Sequence, residues 1–268
     1  MRLAANLSLM FTEVPLLERF MAAKKAGFKT VEIQFPYAES IEDLAKAKTE
    51  SGVDVCLINV PAADLMEGGE GLACVPGKQE EFERAIQLCH QYAKALDVKL
   101  VNVLPGRCLD SSKRTEYLET LKDNLTKAAT VFSRHNILVT FEAVNTKDMP
   151  GFLIYNSEQM HDIVAELDHS NLKMQFDIYH MQIMEGHVDE TIKKYGDLIG
   201  HIQFADTPNR GEPSSGNLNF YNIFEDIHFS HYHGYVSAEY KPTKKTEDTL
   251  QWMQQFDLKF LDVPAKLK

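Results

Sequence analysis

The chain has 268 residues, a formal net charge of −11, a hydrophobic fraction of 44% and a charged fraction of 25%. These values suit one globular domain with a large core. The acidic surplus argues against a nucleic-acid-binding surface, which needs a basic stripe, but leaves room for an anionic small substrate wherever a bound metal or a few placed cations outweigh the global field.

Runs rich in apolar, β-branched and aromatic residues recur along the chain. They predict strands at residues 3–7, 30–35, 53–60, 99–104, 137–144, 172–178, 199–205 and 235–240. Their near-continuous apolarity, rather than strict alternation, suits a buried parallel sheet. Amphipathic stretches between them predict helices at 15–26, after the Ser40 cap, and at 79–96, 112–135, 157–167, 188–195, 220–227 and 245–256. Repeated β-then-α units without a composition break argue for a single α/β domain. An open doubly wound sheet is the competitor. Its phosphate-binding glycine turn is missing after the first strand, where the chain reads Asn6-Leu7-Ser8-Leu9-Met10, so the closed (β/α)₈ barrel is preferred. Long loops are expected after the second, third and seventh strands, on the face where barrels carry their sites.

Cys56, Cys74, Cys89 and Cys108 form no C-x-x-C pair, which removes zinc-ribbon and thioredoxin readings and leaves reduced thiols. The N-terminus enters a strand-like run without a signal-peptide pattern. No apolar run approaches the ~20 residues that span a bilayer. The expectation is a soluble, cytoplasmic protein.

Four polar side chains sit at the tails of the last four predicted strands: Glu142, Asp177, Gln203 and Glu239. About one strand-plus-helix unit separates each from the next, so a closed barrel brings them to one mouth. Three carboxylates and an amide oxygen meeting there repel unless a cation joins them, and they make a hard-oxygen set suited to Mg²⁺ or Mn²⁺. A divalent ion on a carbonyl oxygen and its neighbouring hydroxyl acidifies the intervening C–H, and a glutamate beside that carbon is a natural base. Any one such residue is more often a cap or surface group, so the weight lies in the register of the four. His180 lies three residues past Asp177, either as a substrate donor, as a further ligand or as a packed structural histidine. Arg210 can clamp a carboxylate, or make a turn salt bridge with Glu212. Lys241 is a second candidate cation at the mouth. His228, His231 and His233 fall in a helix-to-strand connection on the opposite face and read as surface residues, and Gly68-Gly69-Glu70-Gly71 reads as a mobile loop without a P-loop ending.

Several blocks carry a family resemblance. They are Ala5-Asn-Leu-Ser-Leu-Met, Val31-Glu-Ile-Gln-Phe-Pro-Tyr, Cys74-Val-Pro-Gly-Lys, Asp148-Met-Pro-Gly-Phe, Gln175-Phe-Asp-Ile-Tyr-His-Met-Gln, Gln203-Phe-Ala-Asp-Thr-Pro-Asn-Arg-Gly-Glu-Pro and Glu239-Tyr-Lys-Pro. Over nearly its whole length the chain resembles the hydroxypyruvate isomerases and 2-oxo-tetronate isomerases of the xylose-isomerase-like barrel superfamily. The resemblance implies one TIM barrel domain over residues 1–268, a divalent metal, and aldose–ketose isomerisation of a short keto acid. By position, Glu142, Asp177, Gln203 and Glu239 match the family's metal ligands, Glu142 and Glu239 its proton-transferring pair, and His180 and Arg210 its pocket. The chain departs at Ala143, where relatives more often carry proline, and at Ala63 and Leu65, where they typically carry Gly and Trp. The expected partner is a small keto acid, hydroxypyruvate or a 2-oxo-tetronate, with neither nucleic acid nor membrane; a homo-oligomer is compatible with the sequence. A sugar epimerase, an abasic-site endonuclease-like barrel and a non-catalytic sugar-binding barrel are the more distant alternatives.

Overall fold

A computed structural model describes residues 2–256. Eight strands close into a parallel barrel in sequence order: β1 (Arg2–Asn6), β2 (Thr30–Ile33), β3 (Asp54–Asn59), β4 (Leu100–Val103), β5 (Leu138–Glu142), β6 (Leu172–Asp177), β7 (Ile199–Phe204) and β8 (Tyr235–Ala238). β8 pairs back onto β1, with Arg2 opposite Tyr235 and Ala5 opposite Ala238. The helices are α1 (Leu16–Lys25), α2 (Ile41–Ser51), α3 (Gln79–Ala95), α4 (Arg114–Ser133), α5 (Ser157–Leu167), α6 (Ile178–Met184), α7 (Val188–Tyr195), α8 (Phe220–Phe229) and α9 (Trp252–Gln255). The expected (β/α)₈ barrel is the observed fold.

Local chemistry sets the helix ends where the sequence placed them. Ser40 accepts from the Asp43 N–H at 3.1 Å to start α2, and Gly52, at φ +65°, ends it in the left-handed region that a side chain disfavours. Asn156 caps α5 by accepting from the Gln159 N–H at 2.9 Å.

Three expectations are corrected. The strand residues do alternate: Val139 and Phe141, Met174 and Phe176, and Ile202 and Phe204 belong to the apolar core, whereas their neighbours Thr140, Gln175 and His201 are polar, fully buried and tied into polar contacts. The runs looked continuous because barrel interior and helix layer both exclude water, while period 2 still sorts polar side chains inward and apolar ones outward. Second, the expected helix at 245–256 is a 3₁₀ turn at Thr246–Thr249 followed by the short α9. Thr246 and Thr249 are buried and hydrogen-bonded, and threonine side chains that compete for backbone partners favour turns over a continuous helix. Third, the long loops follow β3, β5 and β7; only residues 34–40 join β2 to α2.

The four cysteines are buried and none forms a disulfide. No helix among the described residues is long and apolar enough to cross a membrane.

Outside the barrel, Phe204 of β7 packs on Phe220, Phe224 and Trp252 with ring centroids 5.7, 5.2 and 5.4 Å away. Closing the barrel against α8 and α9 rests on this cluster. Phe204→Ala is expected to lower unfolding free energy by about 3–5 kcal/mol, read from urea melts; a loss below about 1 kcal/mol would show that the cluster collapses into the space without cost.

Candidate active site

Strand register delivers the predicted side chains to one end of the barrel. Glu142 ends β5, Asp177 ends β6, Gln203 is the penultimate residue of β7, and Glu239 directly follows β8. Asp177 stands opposite Gln203 in the β6–β7 pairing, and the Glu239 N–H donates to Phe204 O at 3.0 Å. All four are buried.

They meet through shared donors. Gln203 Nε2 donates to Glu239 Oε1 at 3.1 Å. Gln175 Nε2 donates to both Glu142 Oε2 (3.1 Å) and Gln203 Oε1 (2.8 Å). Arg210 Nη2 bridges Asp177 Oδ2 at 3.1 Å and Glu239 Oε2 at 2.6 Å. Its ring neighbour is Tyr179, 5.0 Å from the guanidinium carbon. The alternative reading of Arg210, a turn salt bridge with Glu212, is not the arrangement: Glu212 instead accepts from the Thr243 backbone and hydroxyl. Lys241 lies on the cavity rim, exposed, with its backbone N–H donating to Arg210 O at 2.7 Å.

One layer below lies a set that the sequence reading did not single out. Asn6 Nδ2 donates to Glu32 Oε1 (2.8 Å) and Glu239 Oε1 (2.7 Å), and Gln203 Nε2 also donates to Glu32 Oε1 (2.7 Å). His201 Nε2 meets Glu32 Oε2 at 2.6 Å, both residues fully buried. Asn102 donates to Glu142 Oε2 at 3.1 Å, and Gln34 to Glu239 Oε1 at 2.8 Å. The available signal was periodicity: Thr140, Gln175, His201 and Ser237 each lie two residues before a predicted site residue, and therefore on the same strand face.

The orientation of His180 follows from its neighbours. Asn145 Oδ1 accepts from the backbone N–H groups of Lys147 (3.1 Å) and Asp148 (2.8 Å). Its amide nitrogen must then face His180 Nδ1 at 2.7 Å and Asp148 Oδ2 at 3.0 Å. An NH₂ group cannot accept, so Nδ1 is the acceptor and the ring proton sits on Nε2. That Nε2–H points at Asp177 Oδ2 (3.4 Å) and Glu142 Oε1 (3.9 Å). Burial pushes the imidazole down to about 3 and keeps it neutral. Donor atoms of Glu142, Asp177 and His180 lie within 4.8 Å of one another, compact enough for an ion, but this tautomer makes His180 a hydrogen-bond donor rather than a ligand.

Electrostatics separate the carboxylates. Burial, reinforced by the charge of Asp177, pushes the Glu142 carboxyl up to about 8. Burial also raises Glu239 well above the usual range, with Arg210 pulling it back and Asp177, Glu32 and Glu142 adding to the rise. Burial pushes Glu32 the same way, but His201 and the amides of Gln203 and Asn6 outweigh it and hold that carboxyl below its ordinary value. Burial works against the Arg210 charge, and Glu239 and Asp177 more than restore it. At Glu142, Asp177 and Glu239, one guanidinium therefore faces three buried carboxylates. Ionising all three would leave a surplus of negative charge among oxygen donors, which a hard divalent cation would offset.

The site opens into a cavity of about 550 Å³ bordered by residues that include Glu142, His180, Arg210, Glu239 and, from the loops, Met66 and Arg107. Its size is in the range of small-molecule sites. Leu65 is buried with Val144 and Phe152 beneath the mouth, and Met66 lines the opening. The segment expected to be a mobile glycine loop is held in place: Glu70 accepts from the Tyr117 hydroxyl and the Leu109 N–H. His228 is the penultimate residue of α8, and His231 and His233 lie in its connection to β8, at the end of the barrel away from the site.

Removing divalent cations should expose the charge surplus. Glu142 binds its proton more tightly in the folded than in the unfolded chain, so its contribution to stability is complete below about 4.5 and lost as pH rises through about 8. Chelator-treated protein is expected to melt at progressively lower temperature across that window, and Mg²⁺ or Mn²⁺ to flatten the dependence. A midpoint indifferent to both pH and cation would refute the charge argument.

Comparison with known proteins agrees with this geometry. Residues 20–256 match the family model of the xylose isomerase-like TIM barrel. The hydroxypyruvate isomerase of Escherichia coli K12 is 40% identical over 256 residues, covering 96% of this chain and 99% of that protein. A 2-oxo-tetronate isomerase of Pectobacterium atrosepticum is 36% identical over 253 residues, covering 94% and 97%. A crystal structure from Brucella melitensis, titled an AP endonuclease of family 2, superposes with a TM-score of 0.91 at 36% identity over 95% and 98% of the two chains. The chain is an isomerase that belongs to the xylose isomerase-like TIM barrel family.

Proposed function

We propose that the protein interconverts hydroxypyruvate and 2-hydroxy-3-oxopropanoate, with Mg²⁺ or Mn²⁺ as cofactor. The observation that carries this reading is the pair Glu142 and Glu239: two buried carboxyls bordering one cavity, both held by burial well above the usual carboxylate range. Such a pair suits proton transfer near neutral pH better than charge binding alone.

Glu142, Asp177, Gln203 and Glu239 would hold the ion, with the amide orientation of Gln203 set by Glu32. Bound there, a divalent cation supplies Lewis acidity to the substrate's adjacent carbonyl and hydroxyl oxygens. One glutamate takes a proton from C3, and the electron pair shifts so that C2 and C3 share an enediolate. The C3 hydroxyl then passes its proton to the C2 oxygen as its own oxygen becomes that of the aldehyde, and a proton delivered to C2 by the partner glutamate completes the exchange. The neutral His180 donates its Nε2–H to a substrate oxygen on the Glu142 side. Burial around the cavity keeps water from intercepting the enediolate.

The same steps serve a four-carbon 2-oxo-tetronate, and the 36% identity to the Pectobacterium enzyme named for that substrate favours it as the second reading. The name of the Brucella structure points to a third, abasic-site cleavage, against which the net charge of −11 weighs. We further infer a cytoplasmic enzyme, a reading supported by four buried free cysteines.

Glu142→Gln and Glu239→Gln are each expected to lower kcat by about 10²–10⁴-fold while the far-UV spectrum stays that of the folded barrel. Near-normal turnover in either variant would end the two-glutamate mechanism. Measured side by side, kcat/KM on hydroxypyruvate should exceed that on 2-oxo-tetronates; the reverse order would hand the assignment to the four-carbon acid.

A further inference from the structure

We infer that Arg107, in the loop between β4 and α4, receives the carboxylate of the substrate; this rests on the keto-acid reading above. A short keto acid brings one full negative charge into a cavity already crowded with carboxylates, so its affinity depends on a cation placed clear of them. Arg210 meets that need less well: its Nε is also buried without a partner, but its charge is already shared by Asp177 and Glu239, 3.1 and 2.6 Å from Nη2. Lys241 is exposed at the rim and is a flexible point charge. Arg107 borders the same cavity from the opposite side, since β4 and β8 stand across the ring of eight strands from each other.

The backbone that carries Arg107 is built rather than loose. Its N–H donates to Glu70 O at 2.9 Å, the Cys108 N–H donates to Gly151 O at 2.9 Å, and the Leu153 N–H donates to Gly106 O at 2.9 Å. Arg107 and Phe152 form an isolated antiparallel bridge. Gly106, at φ +101°, lets this crossing happen: a Cβ there would lie 2.5 Å from Glu70 O. Three loops, after β3, β4 and β5, are thereby pinned together beneath one guanidinium.

The side chain is under-used. Nη1 donates to Gly68 O at 3.2 Å, while Nε is buried without a hydrogen-bond partner. Among the described residues no carboxylate pairs with Arg107. A buried, unpaired N–H in a planar fork is costly unless something supplies an acceptor. A carboxylate matches that fork with two parallel bonds. The neighbouring contact to Gly68 O holds the fork in place. Because both glutamates of the proton transfer lie on the floor of the cavity, an anchored carboxylate at Arg107 aligns C2 and C3 with that floor.

The test compares an anionic with a neutral ligand of equal length. D-Glycerate and glycerol differ in the carboxylate, and calorimetry on the Mg²⁺-loaded protein reads their binding without any turnover. Arg107→Met is expected to weaken glycerate binding, and to raise KM for hydroxypyruvate, on the order of 30-fold or more, with kcat changed less than KM; glycerol binding should stay within about twofold. A purely structural role through Gly68 O would weaken both ligands alike and would overturn the inference, as would glycerate binding unchanged in a folded variant. If R107M does not fold, Arg107→Lys keeps the charge and loses the fork: glycerate must then weaken several-fold more than glycerol, and equal losses would sink the assignment. A wild-type protein that binds glycerate through Arg107 but turns over neither keto acid would refute the proposed reaction and leave this inference standing.

Discussion

Buried negative charge at the barrel mouth is the constraint to which the rest of the site answers. Glu142, Asp177 and Glu239 crowd together where water cannot screen them, and Glu32 adds a fourth carboxylate just below. Each is stabilised by a different device: Asn102 and Gln175 for Glu142, Arg210 for Asp177, Arg210 with three amides for Glu239, and His201 for Glu32. The amides matter because they donate without adding charge, so they fix carboxylate orientation while leaving the electrostatic surplus for a cation. An arginine at every such position would quench the surplus and with it the affinity for a hard ion.

The difference between Glu32 and Glu142 shows how environment divides like residues into unlike roles. Both are buried glutamates on barrel strands. His201 and two amides make the charged form of Glu32 the favoured one, whereas burial and Asp177 push Glu142 the other way. One is a fixed anion that orients Gln203 and Asn6; the other is poised to exchange a proton. Similarly, burial keeps His180 neutral, and the Asn145 turn that donates to Nδ1 directs its remaining proton inward.

The barrel and the four strand-end residues were legible in the sequence because spacing encodes them: one polar residue at the tail of each apolar run, repeated at the interval of one structural unit. The inner polar layer was hidden by the same runs. Glu32 and His201 sit among apolar neighbours, and a sequence window cannot tell a polar residue facing the barrel axis from one facing solvent without the closure of the sheet. Arg107 was invisible for a different reason. Its position depends on three loops crossing, and no local pattern announces that any side chain at residue 106 would collide with Glu70 O. The last helix was misjudged because Thr249 turns its hydroxyl to the Thr246 carbonyl and Thr246 turns its own to Glu13 in the loop after β1, which apolar periodicity does not register.

The alternation along the strands has a consequence for how this sequence can change. Adjacent residues answer to separate demands: Phe141 to packing under the helices and Glu142 to the polar mouth, Phe176 to the core and Asp177 to that same mouth. Substitutions on the outer parity can drift in volume as long as the helix layer repacks, and leave the chemistry untouched. Those on the inner parity alter charge and hydrogen bonding with little effect on the hydrophobic shell. A shared scaffold can therefore pass from one substrate to another by editing every second residue of a strand and the loops above it, without renegotiating what keeps the barrel closed.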